Sequence, residues 1–141
     1  MTLRKSSRQT GNAMAILSNE QMVNEYFKLI SKNDVWALLN LFSDDAVICE
    51  PFSKVQGGLH AKTAIENFLK VSIMASEGLK KTISFEDSEE DSITAIVIFE
   101  RGGRIKGKFA FHFVTASVHG YFGQKKIKSL KIQFIDLVTV L

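Results

Sequence analysis

Glu50, Tyr26 and His112 are the side chains whose type and setting in this sequence suit proton-transfer chemistry. Glu50 ends the run Ala46-Val-Ile-Cys-Glu50 and is followed by Pro51. Strand side chains alternate at period 2, so Glu50 shares a face with Ile48 and Ala46. A carboxylate closing an apolar strand face can act as a general base at the mouth of a hydrophobic pocket, where apolar surroundings would raise its pKa toward neutrality. The plainer reading is a strand-end carboxylate, either solvated or paired with Lys54 or Lys62. Tyr26 lies on the apolar face of a helix. Its hydroxyl can donate to a developing oxyanion, or its ring simply packs in the core. His112 interrupts an otherwise apolar strand. It would donate to a substrate oxygen or pair with Glu50, or else sit on the dimer-facing side of the sheet or be a satisfied core histidine.

Trp36, Phe52, Phe68, Phe99 and Phe111 are candidate pocket walls, because ligand pockets are mostly apolar and aromatic with few polar groups. For any single one of them, core packing is the plainer reading. Metal chemistry has little support. Three histidines and one cysteine show no zinc-ligand spacing. The acidic run Glu86–Asp91 lacks the glycine of a calcium loop and reads as a solvated turn. Gly57-Gly58 and Gly102-Gly103 are turn glycines outside any phosphate-binding context. No cofactor is implied.

The elements that position these residues follow from periodicity. Ser18 and Gln21 form a capping box, and Met22, Val23, Tyr26, Phe27 and Ile30 make one helical face. Asp34 caps a second helix through Trp36, Leu38, Leu39 and Phe42, which ends at Ser43-Asp44-Asp45. Ala46 to Glu50 is a short strand and Pro51 to Gly58 a loop. A third helix opens near His60 or Ala61, carries Ile65, Phe68, Leu69, Ser72 and Ile73 inward, and stops at Gly78. The period then changes to two. Ile83 and Phe85 mark one strand, Ile93–Arg101 a second, and Gly102-Gly103 a hairpin. Ile105–Ala116 returns, 118–126 reads as a loop, and Ile127–Ile135 closes the series. Three helices ahead of a meandering sheet make an α+β fold. The middle strands are apolar on both faces, so a homodimer through the sheet is expected.

At 141 residues one domain is expected, with a core of useful size. The formal charge of +3 resides in Arg4, Lys5 and Arg8. These belong to a polar segment, residues 1–17, that reads as a disordered basic tail ahead of a single domain over 18–141. Without it the chain is neutral, which argues against a nucleic-acid partner. The lone Cys49 reads as a buried free thiol and fits a reducing cytoplasm. No apolar run is long enough to span a bilayer, and the basic N-terminus lacks the apolar stretch of a secretory signal.

Several segments together resemble the nuclear transport factor 2-like superfamily, near its SnoaL-like and ketosteroid isomerase-like members. They are Val23-Asn-Glu-Tyr-Phe-Lys-Leu-Ile30, Asn33-Asp34, Leu41-Phe-Ser-Asp-Asp-Ala-Val47, Glu50-Pro51, Ala64-Ile-Glu-Asn-Phe68, Phe99-Glu100 and the final strand from Lys126-Ile127 to Phe134. The resemblance covers roughly 18–135. It implies a cone-shaped, cystatin-like fold in which a curved antiparallel sheet wraps three N-terminal helices around a pocket. It places Glu50 at the isomerase's general base and Tyr26 at its oxyanion donor. The isomerase's second donor, an aspartate, falls on His112, or on Phe111 after a one-residue slip. A supporting tyrosine falls on Leu69. These departures argue against a true ketosteroid isomerase.

The expectation is therefore a pocket for a small hydrophobic or carbonyl-bearing molecule. Its activity would be cofactor-free proton transfer, as in isomerisation or cyclisation. The alternatives are a non-catalytic ligand carrier and a protein-interaction module, the latter with its pocket filled by its own side chains.

Overall fold

The structure, a computed structural model, describes residues 16–52, 55–118 and 121–139 (backbone only for 116–118, 121–122 and 136–139). The expected tail lies almost wholly outside these residues, as do Lys54 and His119. Three helices, α1 (Asn19–Ser31), α2 (Val35–Asn40) and α3 (Lys62–Ser76), pack on one five-stranded sheet. The strands are β1 (Phe42–Cys49), β2 (Lys80–Glu86), β3 (Ser92–Glu100), β4 (Gly103–Val118) and β5 (Tyr121–Thr139), ordered β1-β5-β4-β3-β2.

The helix starts follow local chemistry. Ser18 Oγ accepts the Gln21 amide at 3.1 Å, and Gln21 Oε1 accepts the Ser18 amide at 2.8 Å, completing the capping box. Asp34 Oδ1 accepts the Ala37 amide at 3.1 Å and starts α2. Gly78, at φ +75, takes the left-handed turn that ends α3.

The sheet departs from the sequence reading in two places. Ser43-Asp44-Asp45 does not end a helix in a loop. It lies within β1, which starts at Phe42 and runs parallel to β5, with Val47 opposite Ser129 and a register shift between Phe42 and Val47. That irregularity accommodates a polar stretch on an edge strand. The sheet is thus antiparallel except at this edge. The second departure is 118–126: β4 continues to Val118 and β5 begins at Tyr121, with register shifts near His112 and Ala116 absorbing the mismatch that reads as a loop in sequence.

One face of the sheet closes over the helices. Tyr26 packs edge-on against Phe27, Phe42 and Phe111, the last at 5.5 Å between centroids, and Phe27 meets Phe109 at 5.2 Å. Asn19 is a buried polar residue of this layer. Its Nδ2 donates to Glu89 O at 2.7 Å and, at 3.3 Å, to the carbonyls of Glu90 and Ser92. Its Oδ1 accepts from Lys125 Nζ at 2.8 Å. The acidic turn between β2 and β3 is therefore clamped through its backbone to the start of α1. Cys49 is half-buried rather than buried, because it alternates with the buried Ile48. No helix among the described residues is long and apolar enough to cross a membrane.

Candidate active site

A cavity of about 260 Å³ opens between α1, α3 and the inner face of the sheet. Tyr26 and Phe27 of α1, Phe68 of α3, Phe99 of β3 and Phe109 of β4 supply aromatic walls. Glu50 and Pro51, just past the end of β1, lie at its edge. Period-2 alternation places Glu50 there: Ala46 and Ile48 are buried on the same face, and the next residue on that face is Glu50. Its Oε2 accepts the Phe52 amide at 2.7 Å, turning the chain after Pro51.

Tyr26 is 2% exposed and still contributes to the cavity wall. Its hydroxyl has no hydrogen-bond partner among the described residues. Burial pushes the phenol well above its ordinary value of 10.0, so it stays a proton donor. A buried hydroxyl with no partner carries an unmet desolvation cost, which a hydrogen-bonding ligand atom would offset.

The remaining candidates separate. Phe52 is 78% exposed, but it forms a rim of the cavity and leans on Phe134, with centroids 5.5 Å apart. Phe111 and Leu69 are fully buried behind the cavity, Phe111 under Tyr26, and neither lines it. Trp36 is not a wall: it is 76% exposed on α2, on a side that Leu38 and Leu39 leave to solvent. His112 is also outside. Phe111 and Phe113 point inward, so His112 between them is exposed on the outer face, across from Ser92 and Ser129. The register is thus the one that puts Phe111, not His112, on the pocket side. His60 is exposed in the loop before α3 and contacts the Gly57 carbonyl oxygen at 3.0 Å.

Sequence reasoning missed Lys81. It lines the cavity from β2, its Nζ donating to Ser31 Oγ at 3.0 Å. Burial lowers its pKa from the ordinary 10.5. The signal was present, because Lys81 lies two residues before Ile83 and four before Phe85, on the same strand face. Among the described residues no group of three metal-ligating side chains converges.

The fold matches that of known structures. The fold is the nuclear transport factor 2-like cone. A SnoaL-like protein of unknown function from Burkholderia thailandensis superposes with a TM-score of 0.63 at 14% identity, covering 84% of this chain and 95% of its own. A putative scytalone dehydratase from Novosphingobium aromaticivorans gives 0.59 at 19%, covering 86% and 85%. A ketosteroid isomerase-like protein from Erwinia carotovora atroseptica gives 0.60 at 13%, covering 84% and 95%. No family model matches the sequence, and no curated protein does. At such identities the likeness is one of fold, and a shared fold does not fix a reaction.

Proposed function

We propose that the cavity binds a small molecule with an apolar body and a carbonyl group, and that the protein moves a proton on it without a cofactor. The observation that carries this reading is the buried Tyr26, which lines the cavity and whose hydroxyl has no hydrogen-bond partner among the described residues. In this mechanism Glu50 removes a proton from the carbon beside the carbonyl. The electron pair moves into the new carbon–carbon double bond, and the carbonyl oxygen takes the negative charge. Tyr26 donates a hydrogen bond to that oxygen. Return of the proton from Glu50 to a different carbon completes an isomerisation. In a cyclisation the same carbanion attacks a second carbonyl, whose π electrons move to its oxygen, and that oxygen takes the proton held by Glu50.

The test is solvent exchange. In deuterium oxide, a bicyclic β,γ-unsaturated ketone should gain deuterium at its acidic carbon in the presence of the protein. Glu50→Gln should abolish that gain. Exchange that persists in Glu50→Gln would overturn the assignment of the base.

A second reading, a ligand carrier without catalysis, draws on the placement of His112, Phe111 and Leu69. With His112 outside and Phe111 and Leu69 buried in the core, Tyr26 is the sole oxyanion donor among the candidates, and one donor gives less charge stabilisation than a pair. An open cavity argues against the third reading, an interaction module with a filled pocket. Pairing of two copies through the outer sheet face accompanies either of the first two readings. Ile96, Ile98, Ala110 and Val114 support it, being half-buried apolar residues on that face.

A further inference from the structure

A second charged residue lines the cavity, far from Glu50. Glu50 adjoins β1 and Lys81 lies on β2, the two opposite edges of the sheet, and both line the cavity. Four strand-to-strand steps separate those edges, roughly 19 Å along a flat sheet and less across a curved one. Between the two ends the walls are aromatic and aliphatic, broken by few polar groups.

Lys81 is on the inward face of β2. Lys80, Thr82, Ser84 and Glu86 are exposed, while Lys81, Ile83 and Phe85 are half-buried. Its alternation slot is one that otherwise holds apolar residues. Lys70, Lys108 and Lys128 each pair with a carboxylate within 4 Å. Lys81 forms no such pair among the described residues, and its Nζ is held by the neutral Ser31 hydroxyl at 3.0 Å. A partly desolvated ammonium beside an apolar cavity gains from an anion entering that cavity. Ser31 accepts from Lys81 with its oxygen, which holds the ammonium in place without neutralising it.

We infer that Lys81, supported by Ser31, is the anchor for a carboxylate on the ligand, so that the natural ligand is an amphipathic carboxylic acid. This inference rests on the pocket reading above and deepens it. The two ends also orient the ligand. Glu50 repels a carboxylate, so the acid group lies at Lys81 and the carbonyl end lies between Tyr26 and Glu50. Burial lowers the pKa of Lys81, which accords with an ammonium partly withdrawn from water.

An inward lysine on an edge strand also discourages sheet-to-sheet association. That role would not distinguish an acid from its amide, and the test uses this difference. Decanoate and decanamide share their apolar chain and differ in charge. Calorimetric titration of the full chain at neutral pH should show decanoate binding roughly tenfold or more tightly than decanamide, the scale of one charge-assisted hydrogen bond. Lys81→Met should erase that preference while decanamide affinity holds. Equal affinity of the wild type for both probes, or a preference that survives in Lys81→Met, would overturn the anchor and leave the pocket standing. Binding of neither probe would overturn both.

Discussion

The Glu50 carboxylate accepts the Phe52 amide at 2.7 Å. The proposed base is thereby also the strut of the loop at the cavity rim. The two roles separate by substitution. Glu50→Gln keeps a side-chain oxygen that can accept the Phe52 amide, but it removes the basic oxygen. Deuterium uptake by a ketone probe should be lost, with a thermal midpoint within a degree or two of wild type. Glu50→Ala should lose the activity and also about 1 kcal/mol of stability, the usual value of one exposed hydrogen bond. Equal loss of stability in both variants would mean that the charge, not the hydrogen bond, holds the loop.

Tyr26 allows a sharper separation. Its ring contacts three aromatic neighbours, while its hydroxyl has no partner among the described residues. Tyr26→Phe should keep the packing and leave stability unchanged or up to about 1 kcal/mol higher, because an unsatisfied buried group is removed. The same variant should bind carbonyl probes more weakly and slow their exchange. Tyr26→Ala should cost about 3–5 kcal/mol, as for other buried aromatics. A Tyr26→Phe variant destabilised by as much as the alanine variant would show that the hydroxyl serves folding.

The fold was legible where side-chain chemistry is local. Capping at Ser18 and Asp34, the stop at Gly78 and the hairpin at Gly102 are set by neighbours a few residues away. Each appears where the sequence predicts it, within a residue or two. The position of Glu50 was legible too, since period 2 alone carries it from Ile48 to the cavity edge. What failed was long-range. Ser43-Asp44-Asp45 looks like a break until β5 is laid parallel to it, 85 residues later in the case of Phe42 and Ile127. His112 against Phe111 turns on one residue of register, which inverts every side chain of a strand. Trp36 was misplaced because α2 has only 6 residues, too few for its period to fix a face. Lys81 was passed over because its type suggests solvent, although its spacing from Ile83 points inward.

Gly58 governs the loop that flanks Glu50. It takes φ +92, and an added Cβ would stand 2.8 Å from Val47 Cγ1, 2.9 Å from Cys49 Sγ and 2.9 Å from Ile48 O. The next residue, Leu59, exchanges backbone hydrogen bonds with Ile48 at 3.0 and 2.7 Å. Gly58→Ala meets both an unfavourable dihedral and a clash with backbone that has little room to move. It should cost about 2–4 kcal/mol, read as a lowered denaturant midpoint. Gly57→Ala has an open site, with His60 Nε2 at 3.7 Å, and meets the dihedral strain alone at φ +82. It should cost about 1 kcal/mol. Equal effects would mean that the Gly58 loop yields rather than resists.

Lys81 makes a prediction about pH as well as ligand. Its amine is held below the ordinary 10.5 in the folded chain by burial. Between the folded and unfolded values the unfolded chain binds more protons, so this group's contribution to stability rises with pH there. At neutral pH the charged amine therefore weighs against folding, and Lys81→Met should raise the thermal midpoint. The advantage of the variant should shrink as pH climbs toward 10.5, since the wild-type amine then folds neutral. The side chain is largely solvated, so the effect should be modest, a shift of a few degrees at most. A ligand carboxylate would reverse the sign: with decanoate saturating, wild type should match or exceed the variant. A stability gap that ignores both pH and decanoate would make Lys81 a packing residue whose charge does nothing.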